Sequence, residues 1–438
     1  MPVLFSRRVV TPEGVRPAAI HVEGEKIVAV TEPPPGMAAP HVDYGHLVIM
    51  PGLVDSHVHV NEPGRTEWEG FRTATRAAAA GGVTTIVDMP LNSIPPTTTL
   101  DHLQRKAETL EGKCHVDVAL WGGVIPGNTA ELQPMIDAGA RGFKCFLVDS
   151  GVEEFPAVTE RDLRNAAAAL SGTGAPLLVH AELPGPIEAA AAAGGDPHAY
   201  GTWLRSRPNR AEDEAIDLLL RVCRDSGARI HVVHLSSASA VEIIERAHKE
   251  LLPLSAETTP HYLHFAAEEI ERDRTEFKCA PPIRERDNRE RLWRALAAGT
   301  VQIVVSDHSP CTPELKRADF MKAWGGIASV QFVLPVVWTG AMKRGLTLEQ
   351  LARWTSESPA LLARLPGKGA IAPGRDADFV VWSPEERFTV TEETIQHRHK
   401  TTPYRGETLH GVVKATWLRG EPVFENGSHA PASGRWLR

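Results

Sequence analysis

The sequence predicts an α/β protein in which a (β/α)8 TIM-like barrel carries a small β-sheet domain formed by both termini. Two observations predict this fold. Short apolar, β-branched segments alternate with Ala-, Leu-, Arg- and Glu-rich helical segments along the middle of the chain, and strand–turn–strand segments occur at both ends. The expected domains are 1–49 together with 368–438 for the terminal sheet domain, and 50–367 for the barrel.

Eight segments of the central region have the length and composition of buried strands. Helical stretches such as Thr73 to Ala80, Leu163 to Leu170 and Ala211 to Arg224 lie between them. The alternative is an open doubly wound sheet, but no G-x-G-x-x-G or Walker-type loop follows any of the strands, which favours the barrel. The predicted strands are Val48–Met50, Val83–Asp88, His115–Leu120, Gly142–Phe146, Leu177–His180, Ile230–His234, Leu252–Glu257 and Val301–Val305.

The two ends of the chain have a different pattern, in which short strands follow one another with turns between them. At the N-terminus the candidates are Val9–Thr11, Ala19–Val22 and Ile27–Val30. At the C-terminus they are Ala377–Trp382 and Val412–Trp417. We expect these segments to pair into one small sheet domain.

Composition excludes several classes of function. The 438 residues carry a net charge of -8 without a run of basic residues, so nucleic acid is not an expected partner. We find no secretory signal at the N-terminus and no apolar stretch long enough to span a membrane. The five cysteines are scattered and form no C-x-x-C pair, which is typical of a reduced, cytoplasmic protein.

The first candidate ligands lie in Asp55-Ser56-His57-Val58-His59. Residues two apart on a strand face the same side, so His57 and His59 can both point at one ion. Neutral imidazole is a preferred ligand of zinc and similar metals. The alternative is a surface histidine pair, because H-x-H patterns also occur by chance.

Lys144 lies within an apolar strand, where a lysine is costly unless something satisfies its charge. A buried salt bridge, or an ammonium group that reaches solvent at the strand end, would do so. The other interpretation is covalent. Addition of CO2 to the neutral amine gives a carbamate whose two oxygens can bridge two cations.

Three further strands end in candidate ligands. His180 and His234 each follow an apolar run, and Asp307 follows Val304-Val305-Ser306. Taken singly, each histidine is more often a core residue, and Asp307 is suited to cap a following helix. We assign that ordinary core role to His231, which begins its strand at the opposite end of the barrel.

Considered together, these residues predict a metal centre, because active sites of such barrels lie at the carboxyl ends of the strands. The expected arrangement places two divalent ions roughly 3.5–4 Å apart, as in other two-metal hydrolases. One ion is expected to bind His57, His59 and Asp307, the other His180 and His234, with a Lys144 carbamate between them.

These motifs resemble the cyclic amidohydrolases, a group that includes dihydroorotases, hydantoinases, dihydropyrimidinases and allantoinases. The resemblance covers nearly the whole chain. It implies a barrel with a terminal β-sandwich, N6-carboxylation of Lys144 by CO2, two divalent metal ions with zinc as the expected metal, no organic cofactor and a homotetramer. It is carried by Pro51–His59, Gly142–Lys144, Val179–Glu182, Ser306–His308, Gly367–Gly369 and Pro373–Asp378.

Within that family the chain is most similar to allantoinases. Dihydroorotases carry an arginine where this chain has Asn61, and Asn-Pro-Pro where this chain has Ala280-Pro281-Pro282, so two contacts to a substrate carboxylate are missing. Hydantoinases usually have serine in place of that alanine, and they lack the Glu62-Pro63-Gly64 of this chain. A neutral, hydrogen-bonding substrate arm fits Asn61, Asn92 and Ser309, although Asn92 would serve equally well as a brace for its loop.

The resemblance implies ring opening of allantoin, a small cyclic ureide, to allantoate in purine catabolism. Asp307 is the expected proton carrier, and the loops Asp149–Glu154 and Cys311–Gly326 are candidate lids. The alternatives are a hydantoinase or dihydropyrimidinase, a dihydroorotase, and a non-catalytic scaffold that has lost the metals. The complete set of six ligand positions argues against the scaffold.

Overall fold

The computed structural model describes residues 2–32, 41–192 and 194–438. Its strands, β1 to β18 in chain order, are Val3–Thr11, Gly14–Glu23, Lys26–Thr31, His41–Asp43, Val48–Pro51, Leu53–Val58, Val83–Asp88, Asp117–Leu120, Gly122–Gly123, Phe143–Phe146, Leu177–His180, Ile230–Val232, Leu254–Thr258, Ile303–Val304, Phe379–Thr389, Thr408–Leu418, Glu421–Glu425 and Ser428–His429.

The helices connect these strands. The α-helices, α1 to α13, are Phe71–Ala80, Leu100–Thr109, Leu132–Asp137, Glu160–Leu170, Pro184–Ala191, Tyr200–Ser206, Asn209–Ser226, Val241–Lys249, Pro260–His264, Arg286–Ala298, Val333–Met342, Leu348–Ala352 and Ser358–Leu362. A π-helical turn at Arg353–Glu357 joins the last two. None of the helices within the described ranges combines the length and the apolar character that crossing a membrane requires.

The central strands form a parallel (β/α)8 barrel. One sheet has the order β6-β7-β8, and a second has the order β14-β13-β12-β11-β10-β9. The short strand β9 follows β8 directly and joins the two sheets on one side. On the other side a parallel bridge between Val58 and His308 closes the ring. The predicted fold class is therefore confirmed.

The prediction of which segment forms the first barrel strand was wrong. Val48–Met50 lies in β5, which pairs with β1 and β15 of the terminal sheet. The first barrel strand is instead β6, whose six residues are all buried although half of them are polar. Apolar content alone favoured β5 over the neighbouring β6. Strand β6 has polar residues, Asp55, Ser56 and His57, at three of its buried positions.

Local sequence sets the ends of the helices that surround the barrel. The side chain of Thr159 accepts a hydrogen bond from the Asp162 backbone, and the Asp162 carboxylate caps the Thr159 backbone in return, so α4 begins there. Helices α7 and α10 end at Gly227 and Gly299, which adopt left-handed φ values of 67° and 81°.

Both termini contribute to one nine-stranded sheet, in the order β18-β17-β16-β15-β5-β1-β2-β3, with β4 beside β1. The sheet curls into a sandwich. Backbone bonds join Ile27 at one edge to Gly374 and Arg375 on the C-terminal side, and both sets of strands share a buried core that includes Ile20 and Phe379. The domain boundaries 1–49 with 368–438, and 50–367, stay a prediction. Strand β5 carries the terminal sheet two residues further, to Pro51.

An ionic cluster joins the sandwich to the barrel. Lys368 lies with its ammonium nitrogen 2.8 Å from Asp117 at the start of β8 and 2.7 Å from Asp378 just before β15. Arg419 at the end of β16 donates a second hydrogen bond to Asp117. These groups are buried, so their charges are compensated by one another rather than by water.

Candidate metal centre

Three of the expected ligands meet at the carboxyl end of the barrel. His57 is the last residue but one of β6, His59 lies just beyond that strand, and Asp307 follows β14. Candidate ligand atoms of the three residues all lie within 4.8 Å of one another. Nε2 of His57 is 3.2 Å from Oδ1 of Asp307, and Nε2 of His59 is 3.7 Å from the same oxygen. All three residues are buried. No helix begins at Asp307, so the helix-capping alternative does not apply.

His180 and His234 form a second pair beside the first. His180 ends β11, His234 follows β12, and Nδ1 of His180 lies 3.0 Å from Nε2 of His234. The ring centroids of His57 and His234 are 5.4 Å apart, which joins the two groups into one cluster. His234 has a φ of 39°, a left-handed conformation that is uncommon outside glycine and is often found at functional sites.

Lys144 lies on β10, fully buried, with no hydrogen-bond partner for its Nζ among the described residues. The salt-bridge interpretation from the sequence is therefore wrong, and so is the interpretation of a side chain that reaches solvent. Its Nζ lies 4.8 Å from the centroid of the Phe146 ring. Burial lowers the pKa of Lys144 to about 8, against the opposing effect of Glu257 and Asp307.

The protonation states fit a site for divalent cations. Burial lowers the pKa of His180 to about 4, and burial together with neighbouring cations holds the pKa values of His59 and His234 well below the usual range. These rings are therefore neutral at pH 7, which is the state that binds metal. Imidazole, carboxylate and an unpartnered buried amine converge here, so the donor set suits divalent metal ions.

Two glutamates orient the histidines from behind. Oε1 of Glu257, on β13, lies 2.5 Å from Nδ1 of His57, and Oε2 of Glu182 lies 2.7 Å from Nε2 of His180. Each bond fixes which ring nitrogen of the histidine faces the cluster. Burial would raise the pKa of Glu257, but the adjacent His57 and His231 lower it to about 2, so the carboxylate is ionised.

His231 lies deeper in the barrel, as the sequence indicated. Its Nε2 is 3.0 Å from Oε2 of Glu257, and its Nδ1 is 2.8 Å from the Ser255 hydroxyl. A continuous buried chain thus runs from Ser255 through His231 and Glu257 to His57. This histidine is a satisfied core residue that also holds the glutamate in place.

A cavity of about 500 Å³ opens over the cluster. Asn92 and Ser309 line it, and their contact with a substrate stays a prediction. Nδ2 of Asn92 is also 3.4 Å from Nδ1 of His59, so the asparagine contacts a candidate ligand as well. Parts of both predicted lid loops, including Ser150 and Trp324, border the cavity.

Asn61 departs from the expectation. It is fully buried outside the cavity lining, and its Nδ2 donates to the carbonyl of Pro310 at 3.3 Å. Its φ of 68° is left-handed, a conformation that asparagine tolerates better than most residues. Asn61 therefore braces the segment after Asp307 and does not face the substrate. The sequence suggested a contact because it did not reveal this turn.

Sequence reasoning also missed Glu257 and Glu182. Each stands at or just beyond a strand end, as ligands do, but a lone glutamate there has no distinctive spacing. The Val179–Glu182 motif contained a usable signal, since residues 180 and 182 are two apart and can interact locally. Nothing comparable marks Glu257, whose partner is 200 residues away.

Comparisons with known proteins agree with this geometry. Residues 48–423 match the Amidohydrolase family. The allantoinase of Streptomyces avermitilis is 52% identical over 99% of this chain and 98% of its own length, and that of Arabidopsis thaliana is 44% identical over 98% and 88%. The solved L-hydantoinase (dihydropyrimidinase) of Arthrobacter aurescens superposes with a TM-score of 0.92 at 31% identity, covering 100% of this chain and 99% of its own.

The family match spans most of the chain, and the relatives align over nearly all of it. The barrel, the terminal sandwich and the buried histidine–aspartate cluster are all present in the structure. The chain therefore belongs to the Amidohydrolase family.

Proposed function

We propose that this protein is a metal-dependent hydrolase that opens the hydantoin ring of allantoin to give allantoate. The observation that carries the proposal is the convergence of six side chains from five barrel strands beneath one cavity. These side chains are His57, His59, Lys144, His180, His234 and Asp307. The substrate is supported by relatives named allantoinase that are 52% and 44% identical along almost the entire chain.

We assign the six residues to two metal ions, with zinc as the proposed metal. His57, His59 and Asp307 would hold one ion, and His180 with His234 would hold the other. Bound cations of this kind polarise a carbonyl group, lower the pKa of water and stabilise developing negative charge. The ionised Glu257 and Glu182 keep the ligating nitrogens of His57 and His180 turned toward the cluster.

Lys144 would join both sets of ligands as its carbamate. The neutral amine attacks CO2, a nitrogen–carbon bond forms, one carbon–oxygen π pair moves to oxygen, and the nitrogen loses a proton. Two features support this step. The pKa of Lys144 is lowered to about 8, which increases the neutral fraction, and its Nζ is buried without a partner among the described side chains.

Asp307 carries the proton. Hydrolysis adds water across the ring amide, so the attacking water must lose a proton and the departing ring nitrogen must gain one. Burial raises the pKa of Asp307 above its ordinary value, against the lowering effect of His57 and Lys144. A carboxylate with a raised pKa accepts a proton more readily, which suits it to both transfers. Asn92 and Ser309 would hydrogen-bond the substrate from the cavity wall.

A substrate panel tests the proposal. The purified protein, loaded with zinc, is assayed with allantoin, hydantoin, dihydrouracil and dihydroorotate, and the Asp307→Asn variant is the inactive control. We expect the largest kcat/KM with allantoin and stoichiometric formation of allantoate. A larger kcat/KM with any of the other three rings would assign the protein to a different substrate.

The assembly is proposed on the family resemblance, and the cellular location on the state of the cysteines. We propose a cytoplasmic homotetramer that acts on a small molecule without nucleic acid or membrane partners. The five cysteines are all buried and unpaired, which is compatible with a reducing compartment. Light scattering coupled to size-exclusion chromatography tests the tetramer, and a mass of one or two chains would contradict it.

A further inference from the structure

In one wall of the cavity, two cationic side chains contact the ring of the same tryptophan. Nζ of Lys278 lies 4.3 Å from the ring centroid of Trp203, and the guanidinium carbon of Arg207 lies 5.0 Å from it. All three side chains line the cavity. Nε1 of Trp203 donates to the Cys279 carbonyl at 3.0 Å, which fixes the indole. We call Trp203, Arg207 and Lys278 the basic wall.

The two cations differ in how their charges are compensated. Arg207 donates to the buried carboxylate of Glu182, so its charge is paired. Lys278 is only 5% exposed, and in the described parts of the chain no carboxylate oxygen lies within 4.0 Å of its Nζ. The carboxylate of Asp319 forms an ion pair with Nζ of Lys322 instead, at 3.2 Å. The basic wall therefore carries an excess positive charge that faces the cavity.

Lys278 also has unused hydrogen-bonding capacity. Among the residues that the structure describes, its Nζ donates to one acceptor, the carbonyl of Ala323 at 2.6 Å. An ammonium group has three donors, so two remain. Burial, with Lys316 and Arg207 nearby, lowers the pKa of Lys278 to about 8. Keeping this ammonium group protonated in the folded protein therefore costs free energy. An acceptor on a bound molecule would relieve that cost.

The position of Lys278 in the cavity wall determines which part of a bound substrate it can contact. The amide of Gly326 donates to the Lys278 carbonyl at 2.9 Å, and Gly326 itself packs against Ser309, whose carbonyl oxygen would lie 2.3 Å from a Cβ at that glycine. Ser309 is two residues beyond Asp307. Lys278 lines the same cavity as the ligand cluster without belonging to it, so we place a group attached to the ring, rather than the reacting carbonyl, beside Lys278.

We propose that Lys278 recognises the exocyclic ureido carbonyl of the substrate and so distinguishes ureido-substituted hydantoins from the bare ring. The inference rests on the proposed function. The ureido arm of allantoin is neutral and presents one carbonyl acceptor. A hydrogen bond from a buried cation to that acceptor is stronger than one between neutral groups, and the bare hydantoin ring has no acceptor at this place.

A purely structural role is the competing explanation, because Lys278 also ties Ala323 to the wall. The two roles predict different readouts. Loss of a brace would lower activity on every ring to a similar extent. Loss of a ureido contact would lower activity on allantoin alone.

The experiment compares zinc-loaded wild type with Lys278→Met, Lys278→Arg and Lys249→Met. Methionine keeps the aliphatic stem against Trp203 and removes the charge, and arginine restores a cation. Lys249 is the control, an exposed lysine at the end of α8 that lies outside the cavity lining. Metal content and melting temperature establish that each variant is folded. For each protein we measure kcat/KM with allantoin, and with hydantoin either kcat/KM or, where turnover is too slow, the competitive inhibition constant.

We expect Lys278→Met to lower kcat/KM for allantoin about 10- to 100-fold and to change the hydantoin constant by less than about threefold, as loss of one charge-assisted hydrogen bond predicts. Lys278→Arg should recover part of the loss, and Lys249→Met should match wild type. Equal losses on both rings, or no loss on allantoin, would overturn the inference alone. A wild-type protein inactive on allantoin would overturn the proposed function, and the inference with it.

Discussion

Oε1 of Glu257 lies 2.5 Å from Nδ1 of His57, although the two residues are 200 positions apart in the chain. The bond turns Nε2 of His57 toward Asp307 and keeps the ring in one tautomer. Both side chains are at most 1% exposed, so water does not compete for the contact. It is the clearest sign that the cluster is organised to receive a cation.

The Glu257→Gln variant should therefore bind metal about 10- to 100-fold more weakly, because an amide orients the imidazole less strongly than a carboxylate. Titration against a competing chelator measures this affinity. Glu212→Gln is the matched control, since Glu212 is also buried but pairs with Arg284 at 2.6 Å. That variant should lose stability and keep its metal affinity. Unchanged metal affinity in Glu257→Gln would remove the positioning role.

Replacing Lys144 with alanine should remove metal and lower kcat by more than about 100-fold, because charge stabilisation at the reacting carbonyl is lost. Short carboxylic acids in the buffer should restore part of both by supplying the missing oxygens. Lys106 is the control, a buried lysine 2.5 Å from Asp88. Lys106→Ala should be destabilised without any rescue. Full activity of Lys144→Ala would exclude the carbamate.

The Asp307→Asn variant should lower kcat by about 10²- to 10⁴-fold, the usual contribution of a positioned acid–base group. KM should change far less, since the amide still occupies the cavity wall. Steady-state kinetics with allantoin give both constants. Turnover near the wild-type rate would mean that another group moves the proton.

Acid should destabilise the fold partly through His397. This ring is fully buried, and burial with the nearby His308 lowers its pKa from 6.5 to about 3, against the opposing effects of Glu69 and the His399 backbone. Below pH 6.5 the imidazole of His397 binds a proton in the unfolded chain, whereas the buried ring of the native protein stays neutral. The free energy of unfolding therefore falls as the pH decreases from 6.5 toward 3, by about 1.4 kcal/mol per pH unit.

The His397→Phe variant tests this pH dependence. Phenylalanine fits beside Phe332, whose ring centroid is 6.2 Å from that of His397, and it has no proton to bind. Urea unfolding at pH 7.5 and 5.5, with metal saturating, should show a smaller loss of stability in the variant than in wild type. Equal losses would mean that His397 is protonated in the native protein.

The ionic cluster between the two domains should matter for stability and not for chemistry. Lys368→Met leaves Asp117 and Asp378 buried with less compensation, which should lower the free energy of unfolding by about 3–5 kcal/mol. At temperatures where the variant is folded, kcat should stay near the wild-type value, because Lys368 lies outside the cavity lining. A variant as stable as wild type would show that Arg419 alone suffices for this contact.

The sequence predicted the barrel, and it predicted the ligand candidates because each one interrupts an apolar strand at its carboxyl end. Val83–Asp88 and Leu177–His180 were predicted with their observed bounds. The first barrel strand was not, since β6 buries three polar residues and therefore looks less strand-like than β5. Periodicity detects which face is apolar, but it does not detect a polar group whose partner comes from another strand.

The remaining misses have the same origin. Glu257 acquires its role from a contact across the barrel, and the lack of a carboxylate partner for Lys278 depends on where Asp319 and Glu182 point. Asn61 was expected in the cavity because its side chain suits a neutral substrate, yet its left-handed φ of 68° turns it toward Pro310. Such facts depend on tertiary distances that no local pattern encodes.

A crystal structure of the zinc-loaded protein, with anomalous data collected at the zinc edge, tests the central claim most directly. The account predicts two anomalous peaks per chain, one among His57, His59 and Asp307 and one between His180 and His234, with continuous density for a carboxylated Lys144. An unmodified Lys144 with no peak at these side chains, in protein that still hydrolyses allantoin, would contradict it.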